Sequence, residues 1–120
     1  MEILLRTPRG TSIGAKLPPG AVEWVPEIYF SEVAGVLRRA ELNGLITAER
    51  AAVAVDLLPA APVNRAQVKP LLSEAWTMRH TITIPDAIYV ALARHLEAPL
   101  VTADLRLARA PGLGITVITQ

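Results

Sequence analysis

The stretch Thr83-Ile84-Pro85-Asp86-Ala87-Ile88-Tyr89-Val90-Ala91-Leu92-Ala93-Arg94-His95-Leu96-Glu97-Ala98-Pro99-Leu100-Val101-Thr102-Ala103-Asp104 decides the fold. From Thr83 to Glu97 it is apolar nearly all round, the signature of a helix with no solvated face. Pro99 to Thr102 follows at once as a short apolar strand. A buried helix leading straight into a buried strand is one half-turn of a parallel α/β layer. Each element also carries an acid at its end: Asp86 in the first turn of the helix, Asp104 just past the strand. Buried carboxylates are costly unless a cation or hydrogen-bond donors meet them, so two delivered to one place suggest a metal ion.

Outward from this stretch, strand-like and helix-like segments alternate. Residues 3 to 6 read as the tail of a helix, ended by Thr7-Pro8-Arg9-Gly10, and 11 to 17 as a second short helix broken at Pro18-Pro19-Gly20. Ala21 to Val25 is a strand. Pro26 opens a helix to about Leu42, stopped by Asn43-Gly44, with proline in the first turn and glycine past the end. Thr47 caps a helix to about Leu58, Pro62 to Arg65 is a strand near an edge, Pro70 to Arg79 a helix, and Ile115 to Thr119 the last strand. The expected fold is α/β, a mostly parallel sheet covered by helices on both faces.

The composition bounds the function. At 120 residues and 52% hydrophobic, the chain is expected to form one domain with a real core. It has no cysteine, which removes disulfides, thiolate zinc sites and cysteine nucleophiles, and fits a reducing cytoplasm. No apolar run approaches the ~20 residues of a membrane helix. A formal charge of +1 gives little overall pull on nucleic acid, so any basic footprint is local. Gly10-Thr11-Ser12-Ile13-Gly14 lacks the lysine of a phosphate loop, no Gly-x-Ser-x-Gly elbow occurs, and His80 and His95 are not spaced as a metal pair. Trp24, Tyr29, Phe30 and Trp76 read as core residues, with Trp24 and Phe30 as alternative lining for a partner helix.

In an open α/β sheet ligands bind beyond the carboxyl ends of the strands, where the following helices begin. Asp86 and Asp104 both fall on that edge. Glu32 joins them: its helical neighbours Ile28, Tyr29, Gly35 and Val36 place it on the apolar stripe. Three carboxylates on one rim make a hard oxygen site suited to magnesium or manganese. Each also has a plainer reading. Thr83-Ile84-Pro85-Asp86 is a capping pattern with Asp in the Glu place, Asp104 has the position of a turn aspartate, and an arginine partner (Arg6, Arg79 or Arg106) would account for Glu32.

Ser31-Glu32-Val33-Ala34-Gly35-Val36-Leu37-Arg38-Arg39, the Thr83 to Ala93 block and Ala98-Pro99-Leu100-Val101-Thr102-Ala103-Asp104-Leu105-Arg106-Leu107 together resemble the PIN domain of VapC-type toxins from toxin–antitoxin pairs. The resemblance implies a three-layer α/β/α fold and a magnesium-dependent (or manganese-dependent) endoribonuclease. Its acids would include Glu32, Asp86 and Asp104 as catalytic and metal-holding residues, with Thr102 in support. It further implies a homodimer and a small antitoxin that wraps the toxin and pushes a basic side chain into the acids; the cysteine-free composition and the lack of a long apolar run add the expectation of a cytoplasmic protein with no membrane association. Arg6, Arg9, Arg79, Arg106 and Arg109 are candidates to hold the RNA backbone through phosphate contacts.

Family members begin with a strand that ends in an Asp, placed between the segments matched here by Ala21 to Val25 and Pro99 to Thr102. With residues 3 to 6 read as helix, that central strand and its Asp are expected to be absent, leaving a single, N-terminally shortened domain over 1–120 with two open strand edges. Two consequences are expected: weak or no RNA cleavage, and, as the alternative function, a non-catalytic PIN-like binding module that keeps only its dimer or antitoxin surface.

Overall fold

The computed structural model describes residues 2–8 and 17–119. Among the described residues five parallel strands form one sheet in the order β3-β2-β1-β4-β5. They are β1 (Glu2–Arg6), β2 (Ala21–Pro26), β3 (Asn64–Ala66), β4 (Leu100–Thr102) and β5 (Val117–Thr119). The helices are α1 (Tyr29–Leu42), α2 (Ala48–Leu57), α3 (Leu72–Thr77), α4 (Ile84–Leu96) and α5 (Leu105–Arg109).

The main correction to the sequence reading lies at the centre of the sheet. Residues 3 to 6 are not helix but strand, and β1 fills the place between β2 and β4 that was expected to stand empty. Glu2, Ile3 and Leu4 pair with Ala21, Val22 and Glu23 on one side, and Leu5 and Arg6 with Leu100 and Val101 on the other. Leu5 N–H donates to the Pro99 carbonyl at 3.0 Å and Thr7 N–H to the Val101 carbonyl at 2.9 Å, so both edges of β1 are used. Consecutive Leu4 and Leu5 are both buried, one on each face. A run of three apolar residues has no period to separate helix from strand, and a strand covered on both faces loses the alternation that would reveal it. The expected helix at 11 to 17 falls almost wholly outside the described residues.

The other elements stand close to where the sequence put them. Thr47 caps α2, its hydroxyl accepting from Arg50 N–H at 3.2 Å. Asn43-Gly44 ends α1, with Gly44 at φ 74°, a left-handed conformation that suits a residue without Cβ. β3 is at the sheet edge, as Pro62 nearby suggests. Helix α4 is the packing centre: every residue from Asp86 to Ala93 is buried. Around it cluster Leu5, Val25, Leu100, Tyr29, Leu107 and Ala75. Burying a side chain of leucine size contributes about 1.5–3 kcal/mol, so the fold's stability is concentrated where α4 crosses the sheet. Helix α5 was not foreseen. Trp76 was expected in the core and instead lies 59% exposed on α3.

Candidate active site at the carboxyl edge of the sheet

Parallel strands bring their carboxyl ends to one edge, and four side chains there are tied to the two central strands. Arg6 ends β1, Thr7 follows it, Thr102 ends β4, and Asp104 begins α5. The Thr7 hydroxyl donates to Thr102 Oγ1 at 2.8 Å inside the protein, and Asp104 N–H donates to the same oxygen at 3.1 Å. Thr102, fully buried, therefore sets the backbone at Asp104 while tying β4 to β1.

Asp104 is the N-cap of α5: its Oδ1 accepts from Arg106 N–H at 2.9 Å and Leu107 N–H at 3.4 Å. Asp86 lies in the first turn of α4, and its N–H donates to the Thr83 hydroxyl at 3.3 Å, the capping arrangement read from Thr83-Ile84-Pro85-Asp86. The plainer readings of both residues are thus part of the structure. They do not exhaust it, because Asp86 and Asp104 line one cavity of about 350 Å³ together with Arg79, His80 and Arg106. Two carboxylates and two guanidiniums facing one space is an arrangement for a charged ligand, since capping a short helix needs no partner of either sign across a cavity.

Glu32 is half-buried in the first turn of α1 and does not line this cavity. It approaches α4 deeper in, at Tyr89, three residues and so one turn along from Asp86. The Tyr89 hydroxyl is buried and makes no hydrogen bond of ordinary geometry, yet it lies close enough to feel the Glu32 carboxylate. Burial first, and that negative charge second, hold the phenol protonated far above its usual range. Tyr29 is shifted the same way by burial and by Glu23, with Arg6 opposing.

Glu23 and Arg6 are the functional-edge residues that sequence reasoning missed or misplaced. Glu23 interrupts the apolar Ala21-Val22-Glu23-Trp24-Val25, a signal that was available: an acid inside a central strand needs a cation. Arg6 is that cation. It was expected to touch phosphate, but its guanidinium turns inward and grips Glu23 with two bonds, Nε to Oε2 at 3.2 Å and Nη2 to Oε1 at 2.8 Å. Only 13% of the Arg6 side chain and 4% of the Glu23 side chain are exposed. The central strand therefore ends in an arginine paired with Glu23, where the resemblance leads one to expect an acid. Of the other arginines proposed for RNA, Arg79 and Arg106 reach the cavity, Arg109 is exposed in the last turn of α5 away from it, and Arg9 lies outside the described residues.

Among the described residues no three His, Cys, Asp or Glu side chains are grouped to hold a metal ion. Two carboxylates facing a cavity still suit magnesium, which keeps its waters and is commonly held by one or two carboxylates plus the phosphates of its substrate. The donor set fits an ion that arrives with its substrate and does not fit a closed protein cage.

A PIN domain model matches residues 18–113. The chain belongs to the PIN-domain family, among its VapC-type members. It is 48% identical over 89 residues to ribonuclease VapC1 of Mycobacterium tuberculosis, covering 73% of this chain and 67% of that protein. Similarity to ribonuclease VapC12 of the same organism is 37% over 112 residues, covering 93% and 86%. In three dimensions this PIN domain is similar to a chain in the crystal structure of VapBC2 from Rickettsia felis bound to a DNA fragment from their promoter, with TM-score 0.58, 15% identity and 98% of both chains covered. At that identity the likeness speaks for the fold. No described helix is long and apolar enough to cross a membrane.

Proposed function

We propose that this PIN domain is the toxin of a toxin–antitoxin pair, a cytoplasmic ribonuclease that takes RNA at the cavity between Asp86 and Asp104. The observation that carries the reading is the meeting of those two carboxylates with Arg79 and Arg106 in one cavity at the carboxyl edge of a parallel sheet. The relatives named as VapC ribonucleases support it. Arg79 and Arg106 hold the phosphates on either side of the bond to be cut, through contacts that carry no sequence information. Asp86 and Asp104 would hold a magnesium or manganese ion, with RNA phosphate completing its shell; Glu32, one helical turn deeper, bears on the site through Tyr89. When bound, the ion would supply an activated water and offset the negative charge that develops on the phosphoryl oxygens. Thr102 keeps Asp104 aimed by fixing its backbone. A cognate antitoxin covers this edge, and a homodimer forms through apolar side chains left exposed about α1 and α2, such as Leu42, Leu45 and Leu57.

Arg6 favours a second reading. It stands where the resemblance leads one to expect an acid and is already paired with Glu23, so this strand end offers an incoming divalent ion no carboxylate, which suits a PIN-like module that binds its antitoxin or its own copy without cutting. Incubating the purified chain with single-stranded RNA, with magnesium and with EDTA, separates the two. Slow cleavage that needs the ion and is lost in Asp86→Asn supports the ribonuclease. RNA that is bound but never cut supports the module. A chain that neither binds nor cuts RNA contradicts the ribonuclease reading.

A further inference from the structure

The indole of Trp76 is one of the larger apolar surfaces this domain leaves in water, and the fold gives no packing reason for it. Trp24, the other tryptophan, packs against the core, whereas Trp76 is 59% exposed. Leu72, one helical turn earlier on α3, is also exposed, at 46%, so the two form one apolar strip. Arg79 lies over the Trp76 ring with its guanidinium carbon 4.7 Å from the centroid, and its Nη1 donates to the Trp76 carbonyl at 3.0 Å. Stacking and hydrogen bond together hold an otherwise flexible side chain in one place. Arg79 is also a wall of the cavity that contains Asp86 and Asp104.

Accepting the RNA reading of that cavity, we propose that Trp76 and Arg79 form a nucleobase platform beside it. An unpaired base of the RNA stacks on the Trp76–Arg79 pair, and the phosphate next to that base enters the cavity between the carboxylates. Aromatic rings and guanidinium planes are what proteins offer to splayed-out RNA bases. The geometry selects single strands, because in a duplex each base face is covered by its neighbours. It does not select one base over another, since every base has a face to stack.

The test uses a fluorescein-labelled, mixed-sequence, single-stranded RNA and its duplex, titrated with the full chain in EDTA so that nothing is cut. Base stacking is worth about 1–3 kcal/mol, so Trp76→Ala weakens single-strand binding by roughly 5-fold to 150-fold. Trp76→Phe restores most of the affinity, and duplex binding is unchanged in both variants. Because Trp76 is exposed, its urea midpoint serves as a check that Trp76→Ala folds as the parent does. Equal single-strand affinity in the parent and Trp76→Ala overturns the platform, leaves the RNA reading intact and assigns the exposed indole to a protein partner. Equal losses on single strand and duplex also overturn it. A parent that binds no RNA removes the RNA reading, and the platform with it.

Discussion

Replacing Arg6 by methionine removes the cation that meets Glu23 and leaves the carboxylate where water cannot reach it. The pair is joined by two hydrogen bonds, with 13% and 4% of the side chains exposed, so solvent screening does little to soften the loss. Breaking a buried pair from one side costs about 3–5 kcal/mol. A domain of this kind has only about 5–15 kcal/mol in total, so the variant forfeits a large share of its stability. With a urea slope of about 1–3 kcal/mol per molar, the midpoint falls by at least 1 M and the variant is partly unfolded in buffer if the parent is marginal. The compensating double variant, Arg6→Met with Glu23→Leu, removes both charges together and returns to the parent's stability or exceeds it by about 1–4 kcal/mol. The assay is urea unfolding followed by circular dichroism for parent, single and double variants. A single variant within 1 kcal/mol of the parent, or a double variant less stable than the single, would refute the claim that this pair is buried and mutually dependent.

Three further outcomes follow from the geometry. Tyr89 has its pKa raised in the folded state, so its contribution is present below the unfolded value near 10 and is lost as pH rises beyond it; urea midpoints measured from pH 8 to 11 should fall on the alkaline side, and less steeply in Tyr89→Phe. Thr102→Val removes the acceptor for both Thr7 and Asp104 N–H and should cost about 1–3 kcal/mol by leaving buried groups unmet. Asp104→Asn keeps an oxygen to cap α5 while Asp104→Ala does not, so the Ala variant should lose about 1 kcal/mol and the Asn variant much less; both should abolish any ion-dependent cleavage, which separates the cap from the chemistry.

The parts of the fold that were legible in the sequence are those with a strong local signal. Helix α4 announced itself by Thr83, Pro85 and a long apolar run, and β3 and α2 by Pro62 and Thr47. The placement of two acids at element ends was legible: Asp86 and Asp104 line one cavity at the edge to which the topology of a parallel sheet sends them. What failed was β1. Ile3-Leu4-Leu5 has no period, and only its pairing partners, far along the chain, tell it to be a strand. That misreading propagated, since an absent β1 implied an open sheet, while the actual β1 closes it and ends in Arg6. Helix α5 was missed because five residues carry too little periodicity, although Asp104 before Leu105-Arg106-Leu107 is a usable cap signal. Glu32 was rightly placed toward the apolar side of its helix, but the sequence had no means of showing that Tyr89 would stand before it.

The central claim is that Asp86 and Asp104 together accept a divalent ion in company with RNA. The direct measurement is manganese retention, read by electron paramagnetic resonance, for the chain with and without a non-cleavable single-stranded RNA. The account predicts little retained manganese for the chain alone, clear retention once RNA is added, and its loss in the Asp86→Asn, Asp104→Asn double variant. Retention that RNA does not raise, or that survives the double substitution, would contradict it.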